Sequence, residues 1–412
     1  MNSWPRVFTP TVSVSKFPIL SIKTAQGSRT FEPGDPIKMY VCGITPYDAT
    51  HMGHAATYLT FDLINRYLTA SGSEISFVEN ITDIDEPLLE RALRDDQDWK
   101  QLAADQIALY ETDMTALRIL PPKYFIPATG VMDLVSQAIT RMKENGFVYT
   151  VDQDLYFDVS SFLPQLPISL EQALAVFSSR GGDPDRVGKR HPLDPVLWIA
   201  NRNNEPGWES VHGFGRPGWH IECCVISLRY LNGEDFMNAT TGDFLIDIQG
   251  GGSDLIFPHH FMSSAQAQAM TGQPFSYSFI HTGMVGLDGE KMSKSKGNLV
   301  FVSRLLQSNV DSMVIRMALL SSHYATDRMW SSGLLDTATQ LVDSLRSCLS
   351  REEVAPTTLL IQEIVCALAN DINTPQVLSL LSAWTQATES GDIGGSAGEL
   401  ARALDALLGL AL

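Results

Sequence analysis

Between residues 37 and 68 the chain reads I-K-M-Y-V-C-G-I-T-P-Y-D-A-T-H-M-G-H-A-A-T-Y-L-T-F-D-L-I-N-R-Y-L, and its hydrophobic period changes partway along. Ile37, Met39 and Val41 fall on one side of an extended segment, with Lys38 and Tyr40 on the other. Leu59, Leu63, Ile64, Tyr67 and Leu68 then share one helix face. The reading is strand, polar turn, helix, with His51-Met-Gly-His54 at the helix start. A second strand follows in Ile75-Ser-Phe-Val-Glu-Asn-Ile-Thr-Asp-Ile-Asp85. Strand–helix–strand order favours a parallel pair with a right-handed crossover. The fold class is therefore α/β, with a Rossmann-like parallel sheet. Ligands of such sheets sit outside the carboxyl ends of the strands, which puts His51, His54, Asn80, Thr82 and Asp83 on one rim.

A helix start offers unpaired N–H groups and the positive end of the helix dipole, so it attracts phosphate. Gly53 has no Cβ and lets a ligand approach the backbone. The two imidazoles can donate to phosphoryl oxygens. Taken alone, two histidines at a helix start are more often packing residues, so the case depends on the rest of the chain.

Residues 1–36 read as an extended lead-in with one short strand near Ile19–Ile22. A helix is expected over 86–118, a break at Pro121-Pro122, and a helix from Val131 to Met142 stopped by Gly146. A hairpin, Phe147–Val151 with Leu155–Val159, turns about Asp152-Gln-Asp. Residues 160–195 are loop-rich and contain Arg180-Gly-Gly-Asp-Pro. Val196–Ile199, Phe244–Ile248 and Phe279–Val285 are expected to complete the parallel sheet, and helices run from about 301 to the end, over 334–349, 357–370, 374–387 and 397–411. The resulting division is 1–119 and 201–300 for the two halves of the catalytic domain, 120–200 for an insertion and 301–412 for a helical domain.

No apolar run spans a bilayer, and the N-terminus lacks a charged start followed by an apolar core. The expectation is a cytoplasmic chain with no membrane partner. Five cysteines in 412 residues do not suggest a disulfide framework. A net charge of −18 counts against a broad nucleic-acid surface. The chain is taken to be a monomer.

Three more stretches can carry chemistry. In Gly289-Glu-Lys-Met-Ser-Lys-Ser-Lys-Gly-Asn298, lysines in a glycine-bounded loop can neutralise a triphosphate and close over it. In Asp247-Ile-Gln-Gly-Gly-Gly-Ser-Asp-Leu-Ile-Phe-Pro-His-His260, glycines after a strand admit a nucleotide, and Asp254 can bind a substrate amine. In Gly215-Arg-Pro-Gly-Trp-His-Ile-Glu-Cys-Cys224, a cysteine can ligate metal, with Cys42 and His259 joining it from other strand ends. The spacing is too dispersed to predict a metal by itself, because a free cysteine is ordinarily a small buried hydrophobe. Neither a Walker A pattern nor G-x-G-x-x-G after a strand is present.

These stretches, in this order and over about residues 37–330, resemble a class I aminoacyl-tRNA synthetase and within that group are similar to the cysteinyl-tRNA synthetases. The resemblance implies that the HxGH residues His51 and His54 and the KMSKS residues Lys291, Lys294 and Ser295 contact ATP, supplied with Mg²⁺, and help form an adenylate. It implies one zinc ion per chain on Cys42, Cys223 and His259, with Cys224 structural. The adenylate-site positions it implies are Cys42, Gly43, Ile44, Thr45 and Thr57, then Asn80, Ile81 and Thr82, then Trp219, Gly252, Ser253, Asp254 and Val285.

Two departures matter. The synthetases follow P-H-H with E-N-E, whose last Glu is a fourth zinc-site ligand; here Phe261-Met-Ser263 stands instead, leaving three ligands and an open position. Beyond Ser295 the tail carries 7 Lys and Arg against 12 Asp and Glu, unlike a domain that grips an anticodon. Both departures, with Ser3-Trp-Pro, Gly43-Ile-Thr-Pro-Tyr-Asp-Ala-Thr-His51 and the chain length, resemble the cysteine:glucosaminyl-inositol ligases of mycothiol biosynthesis. That resemblance implies L-cysteine, ATP and glucosaminyl-inositol as substrates and no nucleic acid. A cysteinyl-tRNA synthetase is the alternative, and a catalytically silent synthetase-like binding protein is the third.

Overall fold

The computed structural model describes residues 3–202, 205–239, 242–287, 289–292 and 297–412. A hairpin of β1 (Leu20–Thr24) and β2 (Gly27–Phe31) replaces the single short strand expected near the start. β3 (Ile37–Ile44), α1 (Met52–Ala70) and β4 (Ile75–Ile81) form the strand–helix–strand unit, with the strands parallel. The long helix expected over 86–118 is two, α2 (Glu86–Arg94) and α3 (Trp99–Ala116). Asp96 takes φ 51°, and the Asp98 side chain caps the second helix. Aspartate tolerates the left-handed region and favours helix caps, a break that apolar spacing does not report. β5 (Tyr124–Pro127) follows the two prolines and pairs parallel with β4.

Next come α4 (Met132–Glu144), β6 (Val148–Val151), β7 (Asp154–Phe157), α5 (Leu170–Ser179), β8 (Val196–Ala200) and β9 (Gly215–Pro217). Their strands make a separate antiparallel sheet in the order β6-β7-β8-β9. Two expectations are corrected here. Val196–Ile199 belongs to this insertion and not to the parallel sheet, because a short apolar run does not say which sheet it joins. The stretch read as loop-rich contains α5, started by a reciprocal cap between Ser169 and Gln172. The insertion thus runs past residue 200 to β9, while β5 stays with the central sheet.

α6 (Trp219–Asn232), β10 (Ile246–Gly252), α7 (Phe261–Thr271) and β11 (Ser276–Thr282) complete that sheet, in the order β11-β10-β3-β4-β5 and parallel throughout. β4 and β5 add on one side of β3, β10 and β11 on the other. The strand order therefore reverses between β3 and β10, which opens a crevice at their carboxyl ends. A small hairpin, β12 (Val285–Leu287) and β13 (Glu290–Lys291), comes next, then α8 (Val302–Gln307) and α9 (Ser312–Leu320). β14 (Arg328–Trp330) pairs with β12 inside a stretch expected to be helical. α10 (Ser332–Leu349), α11 (Thr358–Ala369), α12 (Thr374–Glu389) and α13 (Ala397–Leu408) end the chain close to the expected ranges.

The alternation in β3 divides the interior. Ile37, Met39 and Val41 join α1 and the C-terminal helices in one core, while Tyr40 and Cys42 join α6, α7 and the insertion in another. α1 is buried at 14 of its 19 residues, so it is apolar on most sides. Its Asp62 accepts from Arg66 at 2.8 Å and pairs with Arg316, all three buried. The two guanidiniums also hold the end of α13: Arg66 donates to Asp405 O at 2.9 Å and Arg316 to Leu408 O at 2.5 Å. Last-turn carbonyls and the helix dipole favour cations there. Removing one partner of such a buried pair costs about 3–5 kcal/mol, so the C-terminal helices are anchored to the HxGH helix.

Candidate active site

A cavity of about 390 Å³ opens where β3 and β10 diverge, and its wall includes Cys42, His51, His54, Trp219 and Asp254. One end is the start of α1. His51 is its N-cap, with Nδ1 accepting from Gly53 N at 3.1 Å and His54 N at 3.4 Å. Met52 N donates to Val300 O and Ala55 N to His51 O. All four helix-start N–H groups are thereby paired, and the expectation that they wait for phosphate is corrected. The imidazole does this work instead. With Nδ1 accepting, the neutral ring carries its proton on Nε2. Gly53 is needed for a reason other than ligand approach: a Cβ there would lie 2.8 Å from Cε1 of His51. His54 stacks on His51 with ring centroids 3.8 Å apart. Burial, then the neighbouring His51, holds its pKa well below the ordinary imidazole value, so it is neutral.

The segment leaving the KMSKS stretch is tied to the same place. Val302 N donates to Thr50 O at 3.0 Å, Met52 N to Val300 O at 2.9 Å, and His51 bridges Phe301. The two motifs thus share a short antiparallel contact. The backbone of Lys291 pairs with Gly286; the side chain of Lys291, and Lys294 and Ser295 entirely, lie outside the described residues.

The other end is the thiol cluster. Cys42 stands near the end of β3, Cys223 in α6, and His259 in the turn Ile256–His260 before α7. Their donor atoms lie within 4.8 Å of one another, and all three residues are buried. Cys42 Sγ is 3.3 Å from His260 Nε2 and accepts from Gln249 Nε2 at 3.4 Å. His259 Nδ1 is 3.0 Å from His220 Nδ1, and Trp219 stacks on the His259 ring at 4.3 Å. His260 Nδ1 meets His281 Nε2 at 2.8 Å. Burial keeps His220 and His260 well below the ordinary imidazole range and lowers His281 to about 4. Burial and then Cys42 push the Cys223 thiol well up. Two sulfurs and an imidazole make a donor set for a soft or borderline cation, which binds thiolates and removes that penalty. Ser263 offers no fourth ligand, since its hydroxyl donates to His220 O at 3.3 Å.

Among the other expected site residues, Gly43, Ile44, Thr45, Thr57, Gly252 and Val285 reach the wall. Thr57 Oγ1 bonds Gly53 O at 3.1 Å and Thr282 Oγ1 at 2.8 Å, so it braces the helix start instead of lying on a plain helix surface. Asn80, Ile81 and Thr82 are buried, and neither they nor Ser253 are in the wall of this cavity. Asn80 Oδ1 accepts from Tyr40 OH and Gly43 N, each at 2.8 Å, and Asn80 Nδ2 donates to Thr82 Oγ1 at 3.1 Å. A Cβ on Gly43 would fall 1.6 Å from Asn80 O. This trio shapes the strand that carries Cys42.

The sequence reading missed Tyr47, Asp48 and Arg180 in the wall, and His220, His260 and His281 around the thiols. His220 and His260 stood inside motifs already singled out, which was the available signal. Nothing in the sequence showed that the insertion returns Arg180 to the sheet.

The family model for the class I (C) tRNA synthetase catalytic domain matches residues 30–340. A protein of Streptomyces griseus named L-cysteine:1D-myo-inositol 2-amino-2-deoxy-alpha-D-glucopyranoside ligase is 45% identical over 420 residues, covering 100% of both chains. One of the same name from Saccharomonospora viridis is 47% identical over 426 residues, again with 100% of each covered. Among solved structures, methionyl-tRNA synthetase of Mycobacterium tuberculosis in complex with methionyl-adenylate superposes with a TM-score of 0.63 at 17% identity, over 92% of this chain and 89% of that one. At that identity the likeness is one of fold: a parallel sheet with flanking helices and a helical C-terminal region.

Proposed function

The chain belongs to the class I (C) tRNA synthetase catalytic-domain family and, within it, to the L-cysteine:1D-myo-inositol 2-amino-2-deoxy-alpha-D-glucopyranoside ligases, and from that premise we propose the reaction and the residue roles that follow. The enzyme is an ATP-dependent ligase of mycothiol biosynthesis that joins L-cysteine to the 2-amino group of glucosaminyl-inositol. The cysteine carboxylate attacks the α-phosphorus of ATP, giving cysteinyl-AMP and pyrophosphate. The amine then attacks the acyl carbon, forming the amide and releasing AMP. The adenylate is needed because a carboxylate lacks a leaving group that an amine can displace.

The observation that carries this reading is one cavity with a thiolate-donor trio at one end and a histidine-capped helix start at the other. Zinc on Cys42, Cys223 and His259 would supply a soft Lewis acid that takes a thiolate and rejects a hydroxyl. Such discrimination exceeds what a plain pocket achieves between side chains of similar size. Trp219, stacked on His259, closes the wall beside the bound side chain. His51 donates Nε2–H to phosphoryl oxygens. Lys291, Lys294 and Ser295 hold the departing pyrophosphate, with Mg²⁺ accompanying ATP. Positioning and charge stabilisation suffice for such transfer, so no protein nucleophile takes part. The acidic tail supports a small-molecule acceptor over a nucleic acid, and the chain is read as a monomer.

The test is AMP release from ATP and cysteine with either glucosaminyl-inositol or cysteine tRNA added. Release that depends on the amino sugar is expected. Release that depends only on tRNA would overturn the reading in favour of a shortened synthetase.

A further inference from the structure

One side chain in the cavity wall comes from the insertion, and none of the roles above uses it. Arg180 is half-buried, lines the cavity, and donates from NH1 to the backbone carbonyl of Asp254 at 3.0 Å. Among the described residues of that wall it is the one guanidinium or ammonium.

The turn that presents it is braced. Arg180 N and Gly182 N both donate to Phe177 O, at 3.2 and 2.9 Å, as α5 ends. Gly181 takes φ +81°, and a Cβ on Gly182 would come 2.4 Å from the Phe177 ring. The Asp183 carboxylate accepts from Tyr156 OH and, at 2.9 Å, from Lys189 Nζ. Arg180 is therefore delivered from a preformed turn, which lowers the ordering cost of using it in binding.

Its position selects the ligand. α5 packs against the turn Ile256–His260 that carries His259, so Arg180 adjoins the thiol end of the cavity, the side on which the proposed reaction holds the cysteinyl group. The phosphate end is built from α1 and the arms of the KMSKS segment, on the other core. An acceptor amine must reach the acyl carbon, so its sugar has to lie along the acyl-side wall. A guanidinium carries five N–H donors in a planar fork. One is committed to Asp254 O, and the others suit the hydroxyl and ring oxygens of a polyol.

We propose that Arg180 binds oxygens of the amino-sugar acceptor and is a specificity-determining residue of the second half-reaction. This rests on the ligase reading above.

The experiment compares wild type, Arg180→Ala and Arg180→Lys in two assays: cysteine-dependent ATP–pyrophosphate exchange, and ligation with glucosaminyl-inositol or free glucosamine. In Arg180→Ala the acceptor KM should rise at least tenfold beyond any loss in exchange, and the preference for glucosaminyl-inositol over glucosamine should shrink. Arg180→Lys, which keeps the charge and most of the stem but not the fork, should fall between. Exchange falling in parallel with ligation in both variants would assign Arg180 to the adenylate or to folding and overturn the proposal, as would an unchanged acceptor KM. Wild type showing exchange but no ligation of either amino sugar would instead overturn the parent reading, and this one with it.

Discussion

On one face of the central sheet Met39 and Val41 bury against α1 and the C-terminal helices; on the other Tyr40 and Cys42 bury against α6, α7 and the insertion. The first face organises backbone. The N–H groups at the start of α1 are all paired, and the arm leaving the KMSKS segment is hydrogen-bonded to the same turn. The second face organises side chains. Two thiols and four imidazoles, those of His220, His259, His260 and His281, form a connected set of pairwise contacts. The phosphate end therefore depends on one ring holding one helix cap, and the thiol end on several donors packed together. Damage to either end should be separable from the other.

The strongest break in that comparison is Cys223→Ser. It replaces a thiolate donor by a hydroxyl. Metal content by elemental analysis should fall, and cysteine-dependent exchange should drop by more than the ~10–100-fold that losing an outer partner of a metal site costs. ATP should still raise the unfolding temperature, because the α1 face is untouched. Normal metal content and normal cysteine affinity would show that the trio does not hold the substrate thiol.

Gly53→Ala addresses the opposite face. The new Cβ would displace the His51 ring, at about 1 kcal/mol for the lost cap and about tenfold in exchange for the misplaced donor. Metal content should stay at the wild-type level. Full activity in this variant would mean that the capped His51 is not the working arrangement.

An effect on stability, the smallest of the three on activity, sharpens how β4 supports the boundary between the faces. Burial pushes the Glu79 carboxyl up to about 8, with Tyr110 donating to it at 2.5 Å, whereas the unfolded chain titrates near 4.3, about the ordinary value. The folded state thus holds a proton that the unfolded chain has lost. Its contribution is complete below the unfolded value and is lost as pH rises through 8, at up to about 1.4 kcal/mol per pH unit. Urea midpoints from pH 5 to 8 should fall for wild type and fall less steeply in Glu79→Gln, where Asp85 and Asp113, which burial raises to about 6 and about 7, still titrate. Equal slopes in the two proteins would place the titration elsewhere.

Much of this was legible locally. The period change between β3 and α1, the helix start at His51 and the last four helices follow from spacing and capping, which act over a few residues. Misreadings arose where local signals are ambiguous. Val196–Ile199 has the composition of a strand but no mark of the sheet it joins. The helix expected over 86–118 broke at Asp96, where φ is 51°. Asn80 was legible as part of a motif, but its motif does not say that it accepts from Tyr40 and Gly43 on the neighbouring strand.

By itself the sequence determined the α/β class, the HxGH helix start and the motif set that marks the family, because each depends on residues close together in the chain. Only the tertiary structure decided that Cys42, Cys223 and His259 converge, that His51 caps its own helix, and that Arg180 reaches the cavity from the insertion. Those contacts depend on strand order and on the place where the order reverses between β3 and β10. That order is set by burial summed over two cores, which no short stretch of chain encodes.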